Sequence, residues 1–76
     1  MADQPSSPLK DKNYNLIWAV HEALENTWRL QSYIDDAQRQ GDDELVQWFT
    51  RVQEANQQAG AEGKRLLAQR LRNEEG

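Results

Sequence analysis

From Asn13 to Gln40 the chain runs without a single glycine or proline. Within that run an apolar stripe recurs in steps of three and four: Ile17, Val20, Leu24, then the more polar Thr27 and Gln31, then Ile34. That spacing is the signature of one helical face. An unbroken helix from about residue 11 to residue 40 would be roughly 40 Å long at 1.5 Å per residue. Either Asp11 or Asn13 suits the start, where a side-chain oxygen can accept a free backbone N–H. So long a rod dictates an elongated partner.

The partner follows at once. Gly41 suits the left-handed position that ends a helix, and Asp42 or Asp43 can cap the next one, with Glu44 adding negative charge at its positive end. The second stripe holds Leu45, Phe49, Val52, Asn56, Ala59, Gly63 and Leu66, and the last turns carry Lys64, Arg65, Arg70 and Arg72. A turn over residues 41–42 makes the helices antiparallel. The expected fold is all-α: a tail over 1–10, a helix over about 11–40, a second over about 43–72, and a short tail over 73–76. Within such a hairpin Leu24 lies opposite Ala59, Val20 near Gly63 and Ile34 near Trp48. Bulk on the first helix then meets smallness on the second. Close helix approach would offset the roughly 1 kcal/mol that each interior glycine costs relative to alanine. A hinge at Gly60 is the rival reading.

One hairpin leaves too much apolar surface. Around the first helix, Leu24, Val20, Leu16, Ala23 and Leu30 spread to one side of Ile17. Trp28, Tyr14 and Trp18 spread to the other, and the polar sector of Asn15, Glu22, Asn26 and Arg29 is narrow. A helix with one partner needs an apolar stripe of only about 100°. The chain is 76 residues long with no cysteine, near the lower limit for an independent core and without disulfides or thiolate clusters to compensate. Self-association is the remaining device. The expectation is a two-fold dimer of hairpins forming a four-helix bundle, with Tyr14, Trp18, Leu24, Trp28, Ala59 and Gly63 as its assembly surface. The alternative is that the indoles lie flat on their own hairpin.

The chemistry available is sparse. A net charge of −4 and a pI near 4.8 argue against nucleic acid and anionic membrane surfaces as partners. No apolar run approaches the roughly 20 residues of a membrane span, and "MADQPSSPLKDK" lacks the apolar core of a secretory signal, so the expected location is cytoplasmic. His21 stands four residues before Glu25 on one side of the helix. Two copies could bring such pairs together as a metal site, and a histidine–glutamate pair at the edge of an interface is the plainer reading. Glu54 is expected in solvent. Asn56 points inward and reads as a register-fixing hydrogen bonder. With no cysteine, no phosphate loop and Ser6, Ser7 and Ser32 as its serines, the chain is expected to be no enzyme and to carry no cofactor. A small apolar ligand among the tryptophans is a further possibility.

The segment "YIDDAQRQGDDELVQWFTRVQEANQQ" resembles the hairpin of the ferritin-like superfamily in its rubrerythrin style, with Gly41, Glu44, Leu45 and Phe49 matching the acidic turn and the start of the second helix. The resemblance implies a metal-ligand glutamate at the position of Asn56, a histidine at Ala59 and a first-helix glutamate near Ala23, so none of the three can serve. From "KDKNYNLIWAVHEAL" to "LLAQRL" the chain also resembles short bacterial proteins, some cyanobacterial, related to a helical domain fused behind ThiJ/PfpI-type domains. Their described character is ferritin-like without assigned function. "WAVHEALENTW" is bulkier and more aromatic than that group. These features lead to the expectation of a non-enzymatic interaction and assembly module, self-associating and open to an unidentified protein partner. The alternative is an iron-type bundle with carboxylate and histidine ligands from both copies.

Overall fold

The computed structural model describes residues 11–75, with α1 spanning Lys12–Arg39 and α2 spanning Asp43–Glu75. The N-terminal tail expected over 1–10 lies outside the described residues. Asp11 is the residue that starts α1. Its Oδ1 accepts the N–H groups of Asn13 at 3.0 Å and Tyr14 at 3.2 Å, satisfying donors that the first turn leaves without helical partners.

The turn is a Schellman closure. Gly41 has φ 72°, a conformation that side chains with a Cβ avoid. The N–H of Gly41 donates to the Gln38 carbonyl at 3.0 Å, and that of Asp42 to the Ala37 carbonyl at 2.9 Å. These bonds occupy carbonyls the helix end cannot fill. Asp42, of the two candidates, caps α2: its Oδ1 accepts the Leu45 N–H at 3.2 Å. The chain therefore reverses within Gln40–Asp42, and α2 packs back along α1.

At its far end α2 continues to Glu75, past the boundary expected at residue 72. Residues 73–75 hold no glycine or proline, so nothing there obliges the helix to stop.

Packing along the seam explains the glycines. Gly60 and Gly63 are both buried. A methyl group on Gly60 would stand 2.7 Å from Leu24 Cδ2, and one on Gly63 would stand 2.5 Å from Val20 Cγ2. Val20 thus meets Gly63 as its spacing predicts. Leu24 lies on Gly60, one residue beyond the expected Ala59, which is exposed. Gly60 is occupied as a packing seat within an unbroken helix.

Polar groups fix the register, but not through the expected residue. Asn56 turns its Nδ2 back to the Val52 carbonyl of its own helix at 2.9 Å. Gln53 crosses the seam instead, donating from Nε2 to the Thr27 carbonyl at 3.1 Å and to Gln31 Oε1 at 3.0 Å. A glutamine has one more methylene than an asparagine, and here that length spans the gap between helices. Toward the turn, Phe49 stacks against Tyr33 with centroids 5.6 Å apart. Trp48, expected opposite Ile34, packs on Phe49 at 5.7 Å and remains half exposed.

The core is thin. Among described residues only Leu30, Ile34 and Ala37 are buried apolar side chains. Full burial of a leucine or isoleucine contributes about 1.5–3 kcal/mol, against roughly 1–2 kcal/mol of backbone entropy for each residue ordered. The molecule measures 53 × 26 × 13 Å: one layer of helices, where stable domains pack at least two.

Candidate interaction surface

The outer side of α1 carries a ladder of rings built by helical spacing. Tyr14 and Trp18 stand four apart and meet edge to face, centroids 6.3 Å apart at 75°. Trp18 and His21 stand three apart and do the same at 5.5 Å and 79°. Edge-to-face contact sets the positive edge of one ring on the negative face of the next. Trp28 extends the same side of the helix and is 79% exposed, while Tyr14, Trp18 and Ile17 are about half exposed. The alternative of indoles lying flat on the hairpin is not what Trp28 does.

Polar neighbours border the ladder. The Arg29 guanidinium lies 3.6 Å from the Glu25 carboxylate and bonds Asn26 Oδ1 at 3.2 Å. His21 and Glu25 do share a side of α1, yet the ring of His21 is against Trp18 and the carboxylate is with Arg29. Among described residues, no group of three or more histidine or acidic side chains gathers where one ion could be held. Glu54 is exposed, as its position on the helix predicts.

The six expected surface residues divide into three groups. Tyr14, Trp18 and Trp28 form the open ring face. Leu24 and Gly63 belong to the hairpin's own seam. Ala59 lies on neither. Helical rotation of 100° per residue carries the rings to one side of the α1 seam and carries Ala59 to the side of the α2 seam occupied by Leu45, Trp48 and Leu66. Because the helices are antiparallel, these two sides face opposite broad surfaces of the layer.

The second surface was missed in the sequence. Tyr33, Leu45, Trp48 and Leu66 are all between 42% and 51% exposed. Near the turn, Tyr33 and Leu45 line a shallow groove of ≈ 220 Å³ together with Ala37, Phe49, Asp36, Gln40 and Asp42. Its signal was present as alternating steps of three and four through Leu45, Trp48, Val52, Ala55 and Ala59, followed by a step of seven to Leu66. It was hidden because part of that stripe runs alongside the seam residues. No described helix is long and apolar enough to cross a membrane.

Family models, curated proteins and solved structures were each compared with the chain, and none of the three yields a match. The architecture is an all-α hairpin, a form many unrelated chains adopt.

Proposed function

We propose that the protein is a non-enzymatic interaction and assembly module, a hairpin of ferritin-like ancestry that self-associates into a four-helix bundle through the ring face of α1. Its task in this reading is scaffolding or docking of another protein. The observation that carries it is Trp28, 79% exposed beside the half-exposed Tyr14, Ile17 and Trp18. Rings of 150–250 Å² each, covered in two copies at about 25 cal/mol per Å², would contribute on the order of 15 kcal/mol. Association itself costs about 4–15 kcal/mol, so covering this face in a pair can come out favourable.

The ferritin-like part rests on the turn pattern of Gly41, Glu44, Leu45 and Phe49. In that frame Ala23, Asn56 and Ala59 stand where metal ligands would, and none of the three carries a carboxylate or an imidazole. A cytoplasmic setting belongs to the same proposal, on the cysteine-free, acidic composition.

Sedimentation velocity at micromolar concentration tests the reading. The expected result is a particle of twice the chain mass for the natural sequence and of one chain mass for Trp28→Glu, with equal helix content by circular dichroism. A natural chain that sediments as a folded monomer throughout that range overturns it.

A further inference from the structure

We infer that the ring-face pairing is antiparallel and centred beside Ala23, so that His21 of each copy meets Glu25 of the other across the two-fold axis. The inference rests on the self-association proposed above and adds its orientation, its register and the polar pair that fixes both.

Along α1, Tyr14, Trp18, His21, Glu25, Trp28 and Ser32 follow one another in steps of four and three, and all six are exposed. That alternation keeps a seam facing a partner helix. Polar residues hold its middle, with rings on both sides of them. At 100° per residue, His21 and Glu25 lie about 20° to either side of the stripe's midline, Trp18 and Trp28 about 40° to either side, and Tyr14 and Ser32 on it. The polar pair is inside the seam, not on its flanks.

An antiparallel copy of α1 centred at Ala23 brings unlike residues level. Trp18 is level with Trp28 of the copy, His21 with its Glu25, and Tyr14 with its Ser32. Indole meets indole and imidazole meets carboxylate, each twice. A parallel copy would set Glu25 on Glu25 and His21 on His21. Sliding the antiparallel copy by seven residues would put Trp28 level with Asp11 or with Glu25. Of these arrangements, the one centred at Ala23 covers every indole with another and gives each carboxylate in the seam a donor.

The groups suit that role. His21 meets Trp18 edge to face, and among the described residues no hydrogen bond engages its nitrogens. Glu25 lies 3.6 Å from Arg29 with its side chain half exposed, and a carboxylate accepts from several donors at once. A bond from imidazole N–H to an ionised carboxylate is charge-assisted, roughly twice as strong as a neutral one. On one flank the two Glu22 residues come together, bracketed by Arg29 of either copy. Complementary charge of this kind sets orientation and register more than affinity.

Cross-linking in this cysteine-free chain tests the register. Tyr14→Cys and Ser32→Cys proteins are mixed under mild oxidation. The expected product is the covalent dimer joining one of each, in excess over either homodimer, and it is lost in a Trp28→Glu background. Without cysteines, His21→Glu gathers four carboxylates at the axis and is expected to sediment at one chain mass. Adding Glu25→His to it restores both unlike pairs and returns twice the chain mass, at equal helix content. A reduced mixture that sediments as a dimer yet joins no residue 14 to residue 32, or joins like to like, would overturn the register and leave the ring-face pairing standing. A dimer indifferent to His21→Glu, or not restored by the double change, would overturn it too. A natural chain that is monomeric removes the pairing itself and this inference with it.

Discussion

Val20 rests on the bare backbone of Gly63, so closely that a methyl group there would stand 2.5 Å from its Cγ2. Valine is stiff at χ1 within a helix, which leaves little room to yield. The contact sets how near the two helices come at the open end of the hairpin. Gly60 makes the equivalent seat for Leu24, whose longer side chain can swing its terminal methyl away.

Gly63→Ala is therefore expected to destabilise the hairpin by about 1 kcal/mol net, the difference between an overpacking cost of about 1–3 kcal/mol and a helix-propensity gain of about 1 kcal/mol. Gly60→Ala should cost less and could be neutral. Urea denaturation followed by circular dichroism gives both values. A larger loss at Gly60 than at Gly63 would refute the account based on side-chain stiffness.

Gln53 is the polar link between helices, and its removal should be felt on both. Gln53→Ala is expected to cost about 1 kcal/mol, the usual net worth of such hydrogen bonds. Because one of its bonds goes to the Thr27 backbone, Gln31→Ala should cost less than Gln53→Ala. A double-mutant cycle should show coupling between the two glutamines; strict additivity would mean that their contact contributes nothing.

Gly41 sits in open space but at φ 72°, so its requirement is conformational. Gly41→Ala should lower stability by about 1–2 kcal/mol, the cost of a Cβ in left-handed backbone. Gly41→Asn should recover part of it, since asparagine tolerates that region. If alanine and asparagine behave alike in thermal melts, the turn does not depend on this geometry.

Asp11 caps α1 through two backbone N–H groups, and Asp11→Ala is expected to cost about 1 kcal/mol. Asp11→Asn should keep most of the capping, as both side chains present an acceptor oxygen. Helix content measured against temperature distinguishes the three proteins. Equal melting of Asp11→Ala and the natural chain would show that the cap is dispensable.

The legibility of this molecule varied with the range of the interaction. The long breaker-free run, Gly41 and the acidic residues after it made both helices and the turn readable, because caps and left-handed turns depend on neighbours within a few positions. Val20 over Gly63 was readable too, since a rigid hairpin propagates register outward from its turn. Leu24 over Gly60 was missed by one residue, and Gln53 was missed altogether. Both depend on small rotations of one helix against the other, which periodicity averages away.

The surface divides along the same line. Composition and spacing were enough to establish a helix with more apolar surface than one partner can cover, because helical rotation places side chains by arithmetic alone. Which of those residues remain uncovered was settled by packing: Leu24 and Gly63 went into the seam, Trp28 stayed in water, and Ala59 joined Trp48 and Leu66 on the reverse side. Two helices share only one line of contact, and its rotational setting comes from side-chain volumes meeting across it. That information belongs to neither helix separately.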